Sequence, residues 1–232
     1  LEGYFIRAPS TEAILPVVVC LGGMDVGKDD LLYTMPRNAA GNGLSLLLID
    51  SPGFGTGPNG EEPSTVVSVE VPIGRWVDYL LARGDIDPSR IAIYGDGLGA
   101  SYATRAATHD RRFAAAICDG GLWARKERSF VMSRIADSRD NGAIDESAWM
   151  IGDMAIGTPA IKCPHLIMIG QHDYIDVETV RKTYELNRRM GMRTSLKIFS
   201  AEETGASPGQ MDNPTLAKEF AFEWIRKQLK MT

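Results

Sequence analysis

Residues 91–100 read Ile91-Ala92-Ile93-Tyr94-Gly95-Asp96-Gly97-Leu98-Gly99-Ala100. The apolar run Ile91 to Tyr94 predicts a short buried strand, Gly95 to Gly99 a sharp turn, and the small-residue stretch Ala100 to Thr108 a helix. Strand, tight turn, helix is the layout of a nucleophile elbow, whose strained backbone packs closely against helix and strand. Gly95, Gly99 and Ala100 supply the small residues that this packing needs. Written as G-x-S-x-G, the register is Gly95, Asp96, position 97, Leu98, Gly99, and position 97 is glycine. Without a side chain it cannot attack a carbonyl.

Outward from the elbow, apolar runs alternate with amphipathic stretches, the pattern of a mostly parallel sheet flanked by helices, so the fold class is α/β. Tyr4 to Ala8 reads as an edge strand, and Pro16 to Leu21 and Leu44 to Ile49 as buried strands with a helix over Asp29 to Arg37 between them. Ile73 to Arg83 reads as a helix with Ile73, Trp76, Val77, Leu80 and Leu81 on one face. Phe113 to Cys118, His165 to Ile169 and Leu196 to Phe199 are the remaining strands, with helices over Val177 to Met190 and Pro214 to Leu229. The alternation stops over residues 120–163. Two helical stretches there, near Arg125 to Ile135 and Glu146 to Ile156, read as a small lid inserted into a single core of residues 1–232.

The chain has 232 residues, 44% hydrophobic and 24% charged, with a net charge of -5. That length suits one large domain, and the acidic balance argues against a nucleic-acid partner. The only basic cluster, Arg125 to Arg128, reads as a solvated helix face. No apolar stretch reaches the roughly 20 residues that a membrane span needs. Cys20, Cys118 and Cys163 lack C-x-x-C spacing and fit buried free thiols in a reducing compartment. With no signal peptide, the expected location is the cytoplasm. The chain starts at Leu1 without a methionine, which suggests a trimmed chain or one piece of a longer product.

Gly22-Gly23-Met24-Asp25-Val26-Gly27-Lys28-Asp29 matches the G-x-x-x-x-G-K part of a phosphate loop, and Asp50-Ser51-Pro52-Gly53 resembles the acidic turn of nucleotide hydrolases. Such a loop follows its lysine with a hydroxyl that holds magnesium. Asp29 puts an anion there instead, so a glycine turn after a strand is the better reading.

Five stretches together resemble a known family across nearly the whole chain. They are LGGMDVGK after the first long strand, DSPGFG after the second, YGDGLGASYATRAA at the elbow, IGQHD after a late strand and EETGASPGQMDNP before the closing helix. The chain is similar to the α/β-hydrolase core of the group containing 2,6-dihydroxypseudooxynicotine hydrolase and the fungal heptaketide hydrolases of pigment synthesis. The resemblance implies an α/β-hydrolase fold and cleavage of carbon–carbon bonds by serine, histidine and aspartate. It also implies a helical N-terminal region, which this chain does not contain. The family's histidine falls in a His-Cys-Gln-like step before the last helix, where this chain has Ser207-Pro208-Gly209-Gln210. Its histidines are His109, His165 and His172, and none follows the last strand. Nucleophile and general base are therefore both absent at their family positions.

The resemblance puts Asp173 at the acid position, as a relic, a ligand contact or a new acid–base group. Asp96 beside the vacated position and Asp119 at a strand end are the other catalytic candidates; a structural turn residue and a strand-end or helix-cap hydrogen bonder are their plain alternatives. Gly23 and Met24 resemble an oxyanion turn, in which the N–H groups of Met24 and Leu98 would hold an enolate or carbonyl oxygen. Such donors are worth roughly 3 kcal/mol each to a transition state. Gly97 leaves room for substrate. Trp123 and Gln210 are further binding candidates, and Trp149, Met150 and Met154 would line the lid. His172 reads as a loop residue.

No metal site is expected, because no His/Asp/Glu cluster shows ligand spacing, and no cofactor is expected either. The expected partner is a small-molecule substrate or ligand, with no nucleic acid and no membrane, and with a homodimer or association with the N-terminal helical region open. Three functions compete. One is a cyclase, lyase, isomerase or decarboxylase for a polyketide-like or aromatic small molecule. The second is a non-catalytic binding or scaffold module. The third is a hydrolase with another nucleophile such as Asp96.

Overall fold

The computed structural model describes residues 2–23, 26–52, 68–120 and 161–231. Their seven strands are β1 Gly3–Ile6, β2 Leu15–Leu21, β3 Ser45–Ile49, β4 Ile86–Asp96, β5 Phe113–Asp119, β6 His165–Gly170 and β7 Thr194–Phe199. They form one sheet in the order β1-β3-β2-β4-β5-β6-β7. β1 runs antiparallel to β3; every other neighbouring pair is parallel. The described helices are α1 Lys28–Thr34, α2 Pro36–Gly41, α3 Glu70–Ala82, α4 Leu98–His109, α5 Val177–Arg189 and α6 Pro214–Gln228.

Strand side chains alternate between faces, and β4 shows how that builds two cores. Ile91 and Ile93 pack with Ile73, Val77 and Leu80 of α3 and Tyr102, Ala103 and Ala106 of α4. Ala92 and Tyr94 face the other way, onto Leu31, Met35 and Ala39 of α1–α2 and Ala217, Ala221, Phe222 and Ile225 of α6. Each large side chain buried this way contributes about 1.5–3 kcal/mol.

Several boundaries differ from those read in the sequence. The edge strand spans Gly3–Ile6 and stops short of Ala8. The helix expected over Asp29 to Arg37 is two helices, because Pro36 cannot continue α1 and opens α2 at its first position. α3 begins at Glu70, and Leu81 lies 39% exposed rather than on its buried face. β4 is longer at both ends. Ile86 pairs with Leu15 across a register shift, and Gly95 and Asp96 stay in the sheet because β2 and β5 hold Gly95 while β5 holds Asp96. The lid stretches, with Trp123, Trp149, Met150, Met154 and the basic run, lie outside the described residues.

No helix among the described residues is long and apolar enough to cross a membrane. Cys20, Cys118 and Cys163 are free and buried. Burial pushes the Cys118 thiol up to about 12 and that of Cys163 to about 11.

His165 opens β6 and is fully buried. Thr104 Oγ1 donates to the Ala100 carbonyl at 2.8 Å, so His165 Nε2, 3.4 Å away, is the donor to that hydroxyl oxygen. Nδ1 has no partner among the described residues, and burial holds the imidazole pKa down to about 4. Below about pH 6.5 the unfolded chain takes a proton that the folded chain refuses. The protonation-linked penalty is therefore absent at pH 7.5, and stability is lost as pH falls from 6.5 towards 4. His165→Leu should remove roughly 2–3 kcal/mol of that acid sensitivity between pH 7.5 and 4.5. Denaturant titrations of both proteins at the two pH values measure it; an identical pH slope would refute the assignment.

Candidate functional site

The carboxyl ends of β2, β4, β5 and β6 bring the candidate residues together. β4 carries Asp96 as its last residue, in register with Asp119 of β5. Gly97 then turns the chain with φ 56° and ψ −117° before α4 starts at Leu98. A positive φ there is the strained elbow conformation, which glycine adopts without steric cost. The turn is fixed on both sides: Gly97 N–H donates to the Asp119 carbonyl at 2.9 Å, and its own carbonyl accepts from Ala100 N–H at 3.1 Å. The elbow backbone is thus complete, and its tip carries no side chain.

The turn after β2 lies against this tip. A Cβ built on Gly97 would meet the Gly23 Cα at 3.6 Å, an ordinary contact. Ser51 Oγ donates to the Gly22 carbonyl at 2.6 Å and anchors the turn from β3. Leu98 is the first residue of α4, so its N–H belongs to the orphan donors of a helix start. Among the described residues nothing accepts that N–H. Met24 lies outside them.

The phosphate-loop lookalike has another use. Lys28 N–H donates to Asp50 Oδ1 at 2.9 Å and its ammonium to Oδ2 at 2.7 Å. That hydrogen bond outweighs burial and raises the lysine pKa. A lysine held twice by one carboxylate is not free to cradle a phosphate.

Asp173 sits in the loop after β6, partly buried. Its Oδ1 accepts from Ile175 N–H and its Oδ2 from Gly209 N–H, both at 3.3 Å. Burial raises its pKa above the usual carboxylate range, while these peptide donors pull it down. Gly209 belongs to a short 3₁₀ turn, Pro208–Gln210. Ala206 N–H and Ser207 N–H tie that loop to Asp212 at 3.1 and 2.9 Å. A peptide N–H therefore occupies the Asp173 Oδ2 oxygen. Gln210 adopts φ 52°, is fully buried, and among the described residues neither of its amide atoms has a partner. His172 is exposed, as a loop residue should be.

Asp96 and Asp119 share the face of Tyr94, towards α6, where Lys218 meets them. The Lys218 ammonium lies 3.1 Å from Asp119 Oδ2 and 3.5 Å from Asp96 Oδ2. It also donates to the Tyr94 hydroxyl, which in turn donates to Asp119 Oδ2. The Tyr94 ring stacks on Phe222 at 6.4 Å and closes the cluster from α6. Asp119 is fully buried, its Oδ2 is paired with Lys218, and among the described residues its Oδ1 has no partner, so it is an ion-pair carboxylate rather than a helix cap. Asp96 is a strand residue rather than a turn residue, and its side chain keeps 22% exposure. Burial raises its pKa; Lys218 opposes that and Asp119 adds to it. For Lys218, burial pulls downward, but the two carboxylates prevail and hold the ammonium above the ordinary lysine value.

The sequence reading missed Lys218 and Tyr94. The signal for Lys218 was spacing: it precedes Ala221, Phe222 and Ile225 by three, four and seven residues, on the buried stripe of α6. Trp123 lies outside the described residues. Among those residues no group of His, Cys, Asp and Glu could hold a metal ion.

Known proteins agree with this architecture. The chain superposes on the structure of 2,6-dihydroxy-pseudo-oxynicotine hydrolase with a TM-score of 0.77 at 20% identity, covering 98% of this chain and 64% of that one. It is 31% identical over 103 residues to the hydrolyase poxO of Penicillium oxalicum, a match covering 42% of this chain and 24% of the relative. It is 29% identical over 112 residues to the 20-hydroxy-prefusarin hydrolase of Gibberella moniliformis, covering 47% of this chain and 27% of the relative. These matches span about a quarter of each relative's length. No family model matches the chain. The fold is the α/β-hydrolase fold expected from the motifs.

Proposed function

We propose that this chain of α/β-hydrolase fold acts without a covalent serine, as a cofactor-independent lyase, cyclase, isomerase or decarboxylase on a polyketide-like or aromatic small molecule. The observation that carries the reading is Gly97: the elbow backbone keeps its strained turn while its tip offers space in place of a nucleophile. A substrate carbonyl seated in that space meets the unclaimed Leu98 N–H at the start of α4. When a C–H bond next to the carbonyl breaks, its electron pair moves onto that oxygen as an enolate, and the proton passes to a nearby carboxylate. Asp96 and Asp173, both with raised pKa, are the groups suited to take and return it, since a base works best when its pKa approaches the working pH. Two relatives are named as hydrolases of 20-hydroxy-prefusarin and 2,6-dihydroxy-pseudo-oxynicotine, which points to small oxygenated substrates here too.

The test combines aryl ketones and 1,3-diketones in D2O, followed by NMR, with an activated ester and a serine-directed phosphonate. The expected result is deuterium exchange or a cofactor-free product above the buffer rate, no ester turnover and no phosphonate adduct. In Gly97→Ser the new side chain fits the space but takes a positive φ, at about 1–3 kcal/mol of stability. It should cut ketone turnover about tenfold or more, equivalent to roughly 1.4 kcal/mol of barrier, by filling the substrate space. It should not create an esterase, because no imidazole follows β7. Rapid ester cleavage by the unaltered chain, or uniform inertness without binding, would overturn the reading.

One observation favours a second reading, a non-catalytic binding module: two peptide N–H groups already occupy the Asp173 carboxylate. That reading expects the ketone to bind, to be recovered unchanged, and to bind as tightly when Asp96, Asp119 and Asp173 are all alanine.

A further inference from the structure

We propose that Lys218 is the positioning residue for proton transfer at this site: lodged between two carboxylates, it holds the charge on Asp119 and leaves the exchangeable proton on Asp96. The inference rests on the reading of Asp96 as an acid–base group, but the proton inventory can be measured without any substrate.

The argument begins with charge. Two carboxylates face one ammonium in a buried space, so the fully ionised cluster carries a surplus negative charge. Buried surplus charge is costly, and a single bound proton removes it. Geometry decides which carboxyl takes that proton. Asp119 Oδ2 has the ammonium at 3.1 Å and also accepts the Tyr94 hydroxyl. Among the described residues, Asp96 has only the ammonium, at 3.5 Å. Asp119 has the better-stabilised charge, so Asp96 is the easier carboxyl to protonate. It is also the one with an open edge, its side chain 22% exposed against 0% for Asp119. A proton on Asp96 can therefore be exchanged, whereas one on Asp119 would be sealed in.

The titratable groups that face Asp96 are Tyr94 on β4, Asp119 on β5, Asp173 in the loop after β6, Lys218 on α6, and Cys20 on β2 within the field of the cluster. Tyr94 and Cys20 are buried, and burial raises both far above neutrality. Neither supplies a charge. Asp119 and Asp173 push the Asp96 pKa up and Lys218 pulls it down, which makes Lys218 the one cation among these groups.

The experiment follows the carboxyl carbon of Asp96 by 13C NMR in aspartate-labelled protein across pH, with Asp96→Asn to assign the resonance. The unaltered chain should titrate at Asp96 above the ordinary aspartate value. Asp119→Asn removes the competing charge and should lower the Asp96 proton affinity at least about tenfold, or one pH unit. Asp119→Asn/Lys218→Met, which removes charge in pairs and so keeps the cluster foldable, should raise it again by at least about tenfold. Equal Asp96 midpoints in the single and double variants, or titration of Asp119 in place of Asp96, would overturn the proposal. If these shifts appear and ketone exchange does not, only the catalytic reading falls.

Discussion

Gly95→Ala is expected to leave almost no stably folded protein. A Cβ at that position would lie 1.9 Å from the Gly99 carbonyl oxygen, 2.3 Å from its carbon and 2.6 Å from the Ala100 nitrogen. All three atoms are backbone in the first turn of α4, so no rotamer change relieves the overlap. The helix start would have to move by more than an ångström in a close-packed interior, and Gly97 would move with it. A loss of more than roughly 4 kcal/mol, a large share of the 5–15 kcal/mol of a typical domain, is the expected cost. Gly74→Ala is the matched control. It lies within α3, and its Cβ would meet only the ends of the Arg112 and Asp110 side chains, at 3.7 and 3.9 Å. Removing glycine from a helix interior should stabilise the protein by roughly 0.5–1 kcal/mol. Urea denaturation of the two variants measures both. A Gly95→Ala protein that unfolds near the parent midpoint would show that the elbow is not packed as described.

Lys218→Met should cost about 3–5 kcal/mol at neutral pH, because it leaves two buried carboxylates without their cation. Methionine fills most of the space of the lysine stem, so lost packing contributes little. The pH dependence separates charge from packing. Without Lys218, Asp96 loses the cation that pulls its pKa down, and burial holds its folded-state value further above that of the unfolded chain. The folded state then binds a proton more readily, so the deficit is full above that raised value and shrinks as pH falls through it. A deficit that stays constant from pH 7.5 to 5 would indicate a packing loss and sink the electrostatic account. Asp119→Asn/Lys218→Met should recover much of the stability, since a buried pair removed together is far less costly than one partner removed alone.

The strands around the elbow were legible because burial on both faces leaves a continuous apolar run, as in Pro16 to Leu21 and Leu44 to Ile49. Helix α6 was legible from Asn213 and Pro214, whose capping side chain and fixed φ mark a start, and from the stripe of Ala217, Ala221, Phe222 and Ile225. Local reading failed where tertiary contacts outweigh local preference. Gly95 and Asp96 are poor strand formers, yet two neighbouring strands hold the chain extended through them. The empty elbow tip was legible letter by letter. The partnership of Asp96 and Asp119 was not, because Lys218 lies 122 and 99 residues away in sequence. A lysine on a helix is usually solvated, and only its place on an otherwise apolar stripe distinguishes this one. Asp173 was legible as a loop residue after β6, but the peptide N–H of Gly209 that occupies it depends on the turn at Pro208 and carries no side-chain signature.

The three thiols give the molecule an internal timer. Cys20 and Cys118 lie in the central strands β2 and β5, and Cys163 sits just ahead of β6, all with their thiols held protonated by burial. Alkylating and oxidising reagents act on exposed thiolates, so in the folded state they find almost none. Covalent capture of Cys20 or Cys118 must wait until the sheet itself comes apart, and the pace of modification then counts whole-domain opening events rather than surface fluctuations.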